Sequence, residues 1–186
     1  MKTIVFFLEG PSEKEMLIGL LPKILPADMD VRYLVFRGKQ DLEKNLVRRL
    51  RGWLMPDSIF IVMRDQDSAD CHHVKAGLVE KCGESGKNGW IVRIACREME
   101  SFFLGDLAAV EKGLGLKKLR EKQQSRKFRN PDKLANPSAE LVKLTRQRYD
   151  KLSGSRSIAP YLHLERNRSY SFKVLVEGIR KLVEAP

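Results

Sequence analysis

Short apolar runs alternate with amphipathic stretches over the first hundred residues, and this alternation constrains the fold more than any other feature of the sequence. The runs are rich in β-branched and aromatic residues, which is typical of buried strands, whereas the stretches between them have helical spacing. The predicted strands are Thr3–Leu8, Val31–Phe36, Ser58–Met63 and Trp90–Ala95, and the predicted helices are Ser12–Leu21, Asp41–Trp53 and Ala69–Cys82. This βαβαβαβ order predicts an α/β fold: a mostly parallel four-stranded sheet with right-handed crossovers and helices on both faces.

Beyond Glu98 the strand pattern ends and a C-terminal helical extension begins. The predicted helices are Glu98–Leu104, Leu107–Lys122, Ser138–Leu152 and Phe172–Val183, with a polar linker at Ser125–Pro137. A chain of 186 residues can bury one sizeable core but is short for two full domains. We therefore expect one α/β domain over residues 1–110, with residues 111–186 packed on it as an extension.

The positive charge of the chain is concentrated in this extension. The net charge is +11, yet residues 1–110 carry 16 Lys and Arg against 16 Asp and Glu, while residues 111–186 carry 19 against 8. A basic half of this kind is a candidate surface for nucleic-acid phosphates. The alternative is a set of lysine-rich helix faces that serve only solvation.

Composition also limits the cellular setting. No apolar run has the length needed to cross a bilayer, and the opening MKTIVFFLEG is interrupted by an acid and a glycine before it could act as a secretory signal. Cys71, Cys82 and Cys96 are scattered and form no CxxC pair, which argues against a disulfide framework or a zinc ribbon. We expect a cytoplasmic protein without a membrane partner.

The first group of acids lies in FFLEGPSEKE, directly after the first predicted strand. Ser12 and Glu15 have the spacing of a capping box, which would explain Glu15 structurally. Glu13 falls in the first helical turn, where the helix dipole favours a carboxylate, so a structural and a functional role are both open. Glu9 has no such explanation, because a charge at the end of a buried strand needs a partner or a metal.

The second group lies in IFIVMRDQDSAD, where Asp65 and Asp67 follow the third predicted strand. Residues i and i+2 of an extended chain project to the same side, so both carboxylates could face one ion. Mg²⁺ takes a few carboxylates and keeps several waters, which suits such a pair. Alternatively, Asp67 or Ser68 caps the next helix, and the negative charge of Asp70 interacts favourably with the helix dipole. That alternative leaves Asp65 unexplained.

An acid after the first strand and a DxD after the third resemble the Toprim fold of topoisomerases, primases and the OLD (overcoming lysogenization defect) nucleases. In that fold these acids hold the catalytic metal at the carboxyl edge of the sheet. The resemblance covers about the first hundred residues. It implies that Glu9, Asp65 and Asp67 bind Mg²⁺ or Mn²⁺.

The segment CREMESFFLGD extends the resemblance to an uncharacterised bacterial Toprim-like family of unknown function. It places Glu98 and Glu100 after the fourth strand and is similar to that family's HEFEALLF-type segment. The tail has similar short motifs: NPS at 136–138, YDK at 149–151 and RSYSF at 168–172. Arg97 stands where the family has a histidine, so no proton-transfer role for a histidine is implied at that position.

The resemblance implies a metal-dependent phosphodiesterase that acts on nucleic acid. Such chemistry needs carboxylates that position ions near the attacking and leaving oxygens, and cations that hold the phosphate. Glu13, Glu98 and Glu100 are candidates for a second metal or for water activation. Lys151 and Arg168 are candidate phosphate contacts, with a solvated helix face as the alternative for both.

A different class of function stays open beside this one. OLD-type Toprim proteins work with an ATPase, and the sequence contains no GxxxxGK[ST] loop, so we expect any ATP dependence to come from a partner, as in an ATPase-coupled phage-defence system. The chain could then be a non-catalytic, regulatory Toprim module. Phosphoryl chemistry on a small nucleotide is a third reading. The choice of DNA or RNA, and a homo-oligomeric state, are left open by the sequence.

Overall fold

The computed structural model describes residues 2–184 as a four-stranded sheet surrounded by helices. The strands are β1 (Thr3–Leu8), β2 (Asp30–Val35), β3 (Ser58–Asp65) and β4 (Trp90–Ala95). The helices are α1 (Pro11–Leu20), α2 (Lys39–Arg51), α3 (Cys71–Glu84), α4 (Glu100–Leu104), α5 (Leu107–Gly113), α6 (Pro137–Leu144), α7 (Lys151–Ile158) and α8 (Tyr170–Glu184). The sheet order is β2-β1-β3-β4 and every neighbouring pair is parallel, which confirms the α/β architecture expected from the sequence.

The sheet is covered on both faces because its central strands are apolar throughout. Ile4, Phe6 and Leu8 pack into one hydrophobic cluster, and Val5 and Phe7 pack into another on the opposite face, beneath α2 and α3. All five side chains are fully buried. A parallel strand buried on both faces reads as a continuous apolar run, which is why TIVFFL shows no alternation.

The helical extension shares the first of these clusters with the sheet. Phe102 and Phe172 stack edge to face within it at 5.4 Å between ring centroids, and Ile158 is fully buried there. Gly19 of α1 lies so close to the turn after α7 that a Cβ atom would be 2.9 Å from the Cβ of Ala159. This close approach fixes α7 against α1, beside the end of β1.

Two predicted helices in the extension were too long. The predicted Leu107–Lys122 helix is cut short by a turn in which Gly115 has a left-handed φ of 62°. The predicted Ser138–Leu152 helix is two helices, α6 and α7, because Arg146 and Gln147 have left-handed φ values of 52° and 62° between them. Left-handed residues end a right-handed helix, and apolar spacing alone does not reveal them.

The expected capping box at the start of α1 was wrong. Gly10 is the N-cap and Pro11 the first helical residue, so Ser12 lies inside the helix rather than at its cap. Proline suits the first helical position because its missing N–H would be unpaired there anyway. Glu15 instead accepts a 2.7 Å hydrogen bond from Nε of Arg156 in α7. Among residues 2–184, no helix is both long and apolar enough to span a membrane.

Candidate functional site

The carboxyl ends of the strands meet at one edge of the sheet, where ligands of parallel α/β sheets collect. In the β1–β3 register Leu8 is opposite Met63, so Glu9 leaves β1 level with the last two residues of β3. Asp65 closes β3 opposite Ala95 of β4. The sheet topology therefore brings the acids that follow β1, β3 and β4 to the same edge.

Glu9 and Asp65 are in direct contact at this edge. The backbone N–H of Asp65 donates to Oε2 of Glu9 at 3.3 Å, and the N–H of Met99 donates to Oδ1 of Asp65 at 2.9 Å. Asp65 is only 4% exposed. Its second oxygen, Oδ2, lies 3.9 Å from Nζ of Lys151. The charge of Glu9 thus has a partner in the Asp65 amide as well as a position beside other acids.

Glu100 is the second buried acid of the cluster and has no solvent exposure. Its Oε1 accepts a 3.0 Å hydrogen bond from Oη of Tyr149, whereas its Oε2 is buried without a hydrogen-bond partner. Nζ of Lys151 lies 3.9 Å from Oδ2 of Asp65 and 3.9 Å from Oε1 of Glu100. One ammonium group is therefore shared between two buried carboxylates, and one carboxylate oxygen is left without a partner.

The Tyr149–Asp150–Lys151 segment is built so that each residue has a separate task. Tyr149 reaches Glu100, and Asp150 caps α7 by accepting backbone N–H groups of the first turn with Oδ1. Lys151 is then the first residue of α7 and points to the carboxylates. Gly154 lies against the Tyr149 ring with no room for a Cβ atom, so a larger residue there would displace the tyrosine.

The clustering of the acids raises three pKa values. Burial, and after it the charge of Glu13, raises the pKa of Asp65 well above its ordinary range. Burial and the charges of Asp67 and Glu13 raise the pKa of Glu9. Burial also raises the pKa of Glu100. Burial and neighbouring negative charges both disfavour the ionised form of a carboxyl group. A group of acids with shifted pKa values is typical of functional sites.

Lys151 is the cation that balances this group. Burial alone would lower its pKa, but the surrounding carboxylates, led by Glu100 and Asp65, outweigh burial and raise the pKa. The ammonium therefore stays charged while 49% of the side chain is exposed. A half-exposed cation can leave its buried partners when another cation takes its place.

Asp67 lies near enough to Glu9 to raise its pKa, but its own contacts are with Lys39 and Arg64. Strand β3 ends at Asp65, and Asp67 has a left-handed φ of 56°, so the extended geometry that would align the two side chains does not continue. Its Oδ2 accepts a 2.6 Å hydrogen bond from Nζ of Lys39 and lies 3.8 Å from Nη2 of Arg64. Arg64 also lies 3.9 Å from Oε2 of Glu9. Metal binding by Asp67 stays a prediction.

The other candidate acids differ in what they contact. Glu13 is 2% exposed and accepts a hydrogen bond from Ser12 Oγ at 3.1 Å, and its charge acts on the acids beside it. Glu98 accepts a 2.7 Å hydrogen bond from the backbone N–H of Ser138, so its carboxylate anchors the start of α6. Arg168 lies apart from Lys151, beside a different cavity.

Two contributors were missed by sequence reasoning. Tyr149 stands in the YDK motif that was noted in the tail, but nothing in the motif gives its partner, since Glu100 is 49 residues away. Lys39 is the first residue of α2, and a half-buried lysine at a helix start carries no signal of its own in the sequence. Its position becomes meaningful only through the contact with Asp67.

A cavity of about 380 Å³ opens beside the cluster. It is lined by the segment from Glu9 to Glu13, by Phe36, Arg37 and Gly38, and by Lys151 and Leu152. Gly38 is the N-cap of α2 and has a φ of 93°, which favours glycine, so this part of the cavity wall is backbone without a side chain. The cavity provides access from solvent to Glu9, Glu13 and Lys151.

The donor chemistry of the cluster fits a hard divalent cation. Carboxylate oxygens suit Mg²⁺ and Mn²⁺, and the unpaired Oε2 of Glu100 and the shared Lys151 mark a buried place that favours positive charge. Within residues 2–184, no three Asp, Glu, His or Cys side chains are arranged so that they could hold a metal ion. The acids have the right donor atoms and lie near one another, but they do not form a complete coordination shell.

The fold is similar to that of a solved protein over almost the whole chain. The "C-terminal region of the Burkholderia pseudomallei OLD protein" aligns with a TM-score of 0.57 and 17% sequence identity, covering 97% of this chain and 98% of that one. At this identity the likeness concerns the fold. Together with the four-stranded parallel sheet and its flanking helices, it confirms the Toprim-like architecture that the strand-end acids predicted.

The sequence itself has a family match. No curated protein matches the chain significantly. The model of one protein family, described as a domain of unknown function, DUF4276, matches residues 8–180. This match spans both the sheet and the helical extension, including the acidic cluster and the Tyr149–Lys151 segment. The chain therefore belongs to the DUF4276 family.

Proposed function

We propose that this chain is a divalent-metal-dependent nucleic-acid phosphodiesterase, a nuclease of the Toprim and OLD type. Residues 1–110 form its metal-binding domain, and residues 111–186 form the basic extension packed on it. One observation carries the proposal: Glu9, Asp65 and Glu100 gather at the carboxyl edge of the parallel sheet with raised pKa values. Clustered buried carboxylates repel one another, so their gathering at the ligand-binding edge of the sheet supports a functional role.

The acids divide into two sets by their contacts. Glu9 and Asp65, which touch each other, would hold a first ion together with Asp67, once Asp67 leaves Lys39. Glu13 and Glu100, with Glu98 behind them, would hold a second ion or orient the attacking water. A bound divalent cation lowers the pKa of its water and stabilises charge on the phosphate oxygens.

Lys151 contributes to the chemistry by changing partners. In the metal-free protein its ammonium balances Asp65 and Glu100. A divalent cation held by the same carboxylates would balance their charge in place of the ammonium. Lys151, which also lines the adjacent cavity, would then be available to neutralise a phosphate oxygen of the substrate and the negative charge of the transition state.

The proposal is tested by cleavage assays on plasmid DNA, single-stranded DNA and RNA with Mg²⁺ or Mn²⁺. We expect cleavage of at least one substrate that EDTA abolishes and that the double variant Asp65→Ala, Asp67→Ala lacks. Equal cleavage by wild type and double variant would point to a contaminating nuclease and contradict the proposal. No cleavage with either metal would favour the regulatory module that acts through an ATPase.

The raised pKa values predict how stability changes with pH. An acid with a higher pKa in the folded than in the unfolded state makes the folded protein bind more protons, so its contribution to stability falls as pH rises. We expect the unfolding temperature of metal-free wild type to fall relative to Asp65→Asn, which lacks one of these acids, as pH rises from the ordinary pKa of an aspartate through the raised pKa of Asp65. Scanning calorimetry of both proteins measures the difference.

Mg²⁺ should reverse this relative trend, because it binds the deprotonated carboxylates. The stabilisation of wild type by Mg²⁺ should therefore grow as pH rises over the same interval, and Asp65→Asn should show much less of it. Parallel pH curves for the two proteins, without and with Mg²⁺, would contradict the assignment of Asp65 to a metal site.

A further inference from the structure

A second cavity, of about 390 Å³, lies in the helical extension. Four cationic side chains line it: Lys112, Arg120, Arg166 and Arg168. Its floor includes small residues, Gly105, Ala108 and Ala109, which leave room for a ligand between the cations. The cavity is distinct from the acidic cluster, with which it shares no lining residue.

The acid at this cavity is already committed to the backbone. Oδ1 of Asp106 accepts from the N–H of Ala109 at 3.1 Å, and Oδ2 accepts from the N–H of His163 at 2.8 Å. Asp106 is the N-cap of α5, and this accounts for its presence. One carboxylate that serves backbone donors does not neutralise four neighbouring cations.

The two arginines from the tail are held toward the cavity by the residue between them. Asn167 is fully buried and its Nδ2 donates to the carbonyl of Phe102 at 2.8 Å. Gly105 lies against its Oδ1 with no room for a Cβ atom, so the turn is packed tightly on the end of α4. Arg166 and Arg168, on either side of the buried Asn167, both line the cavity.

The other polar side chains at this cavity, those of Gln123, Tyr161 and His163, bring no negative charge. Nδ1 of His163 accepts from the N–H groups of Glu165 and Arg166, each at 3.2 Å. Nζ of Lys112 lies 4.6 Å from the ring centroid of Tyr161 and forms no ion pair within the part of the chain that the structure describes. A cavity that offers donors and positive charge suits an anion.

The cations have weak partners in the protein. Arg168 donates to the neutral Oε1 of Gln124 at 3.0 Å, and Nε of Arg120 is 3.9 Å from Oε1 of Glu111, with most of the arginine in solvent. Arg166 is exposed and forms no ion pair within residues 2–184. The positive charge at the cavity is thus largely available to a ligand.

We propose that this cavity is a second phosphate site, which holds a backbone phosphate of the same nucleic-acid strand that enters the acidic cluster. The substrate class in this inference rests on the proposed function. Lys151 begins α7, and Tyr161 ends the 3-10 turn that follows it, so the two residues are separated by at most about 16 Å along the helix and turn. About five nucleotides of a strand cover that length at a rise of about 3.4 Å each, so one strand can reach both places.

Binding is measured by fluorescence anisotropy with a labelled single-stranded oligonucleotide in EDTA, so that no metal chemistry contributes. The cavity variant is Arg166→Ala, Arg168→Ala. Its matched control is Lys44→Ala, Lys75→Ala, which removes two exposed charges from α2 and α3. We expect affinity to fall about tenfold in the cavity variant and less than about twofold in the control.

The salt dependence of oligonucleotide affinity gives a second readout. A variant that is merely less stable would not show the specific change in slope that loss of phosphate contacts produces. Loss of two phosphate contacts makes the slope of log affinity against log salt shallower by about 1.4 on a single strand. The control variant should keep the wild-type slope. Arg166→Lys, Arg168→Lys should recover much of the affinity, because the charge is retained although the bidentate geometry is not.

The proposal is overturned if the cavity variant binds the oligonucleotide as tightly as the control does. It is also overturned if adenosine monophosphate binds wild type and not the cavity variant while the oligonucleotide binds both alike, since the ligand is then a free nucleotide. Because binding is read without metal, absence of cleavage by wild type bears on the proposed function and leaves this readout intact.

Discussion

Replacing Asp65 with asparagine is expected to lower metal-dependent cleavage about a thousandfold, the scale of losing one group that stabilises charge in the transition state. The same change should not lower the stability of the metal-free protein. Asparagine retains an Oδ1 that can accept from the Met99 N–H, so the buried hydrogen bond survives. The negative charge beside Glu13 and Glu100 is removed, which relieves repulsion.

Two further variants make this result specific. Asp65→Ala removes the acceptor as well as the charge, so it should cost about 1–3 kcal/mol of stability for the unsatisfied Met99 N–H. Asp30→Asn is the matched control, because it removes a carboxylate paired with Arg32 at the opposite end of the strands and should leave cleavage unchanged. Thermal unfolding of all three with and without Mg²⁺, beside single-turnover cleavage, separates charge from packing.

A clear fall in the metal-free unfolding temperature of Asp65→Asn, with no Mg²⁺ response in wild type, would contradict the metal site. Asp65 would then be a structural acceptor whose charge the fold needs. Glu9→Gln gives an independent version of the test, since glutamine keeps an oxygen for the Asp65 N–H while it loses the charge beside Arg64.

The sheet and its acidic edge were predictable because they depend on local patterns and one general rule. A continuous apolar run such as Thr3–Leu8 identifies a buried strand, and parallel strands end at a common edge. Glu9 and Asp65 directly follow or close such strands, so their proximity follows from topology without knowledge of side-chain contacts. The α/β class and the strand-end acids were therefore accessible from the sequence.

The contacts within the site were not predictable, because they depend on backbone turns and long-range packing. The left-handed φ of Asp67 redirects its side chain to Lys39, and no residue pattern announces that turn. Tyr149 meets Glu100 only because α6 and α7 separate at Arg146, where apolar spacing predicts one continuous helix. These turns and long-range contacts therefore decide which partner each acid contacts.

Replacing Lys151 with methionine should have the opposite effect on stability to Asp65→Asn. Methionine fills a similar volume, but Asp65 and Glu100 lose the ammonium between them. Breaking a buried ion pair costs about 3–5 kcal/mol. Because the Lys151 side chain is 49% exposed, we expect a smaller loss of about 1–3 kcal/mol in the metal-free protein. Lys75→Met on the exposed face of α3 is the matched control and should be near neutral.

Mg²⁺ should restore most of the stability of Lys151→Met without restoring cleavage. A divalent cation can balance Asp65 and Glu100 in place of the ammonium, whereas nothing replaces Lys151 at the substrate phosphate. In the double variant Asp65→Asn, Lys151→Met the stability changes should not add, since each residue acts on the other's charge. Additive effects, or a Lys151→Met protein that cleaves normally with Mg²⁺, would show that Lys151 is a surface lysine and not the cation of this site.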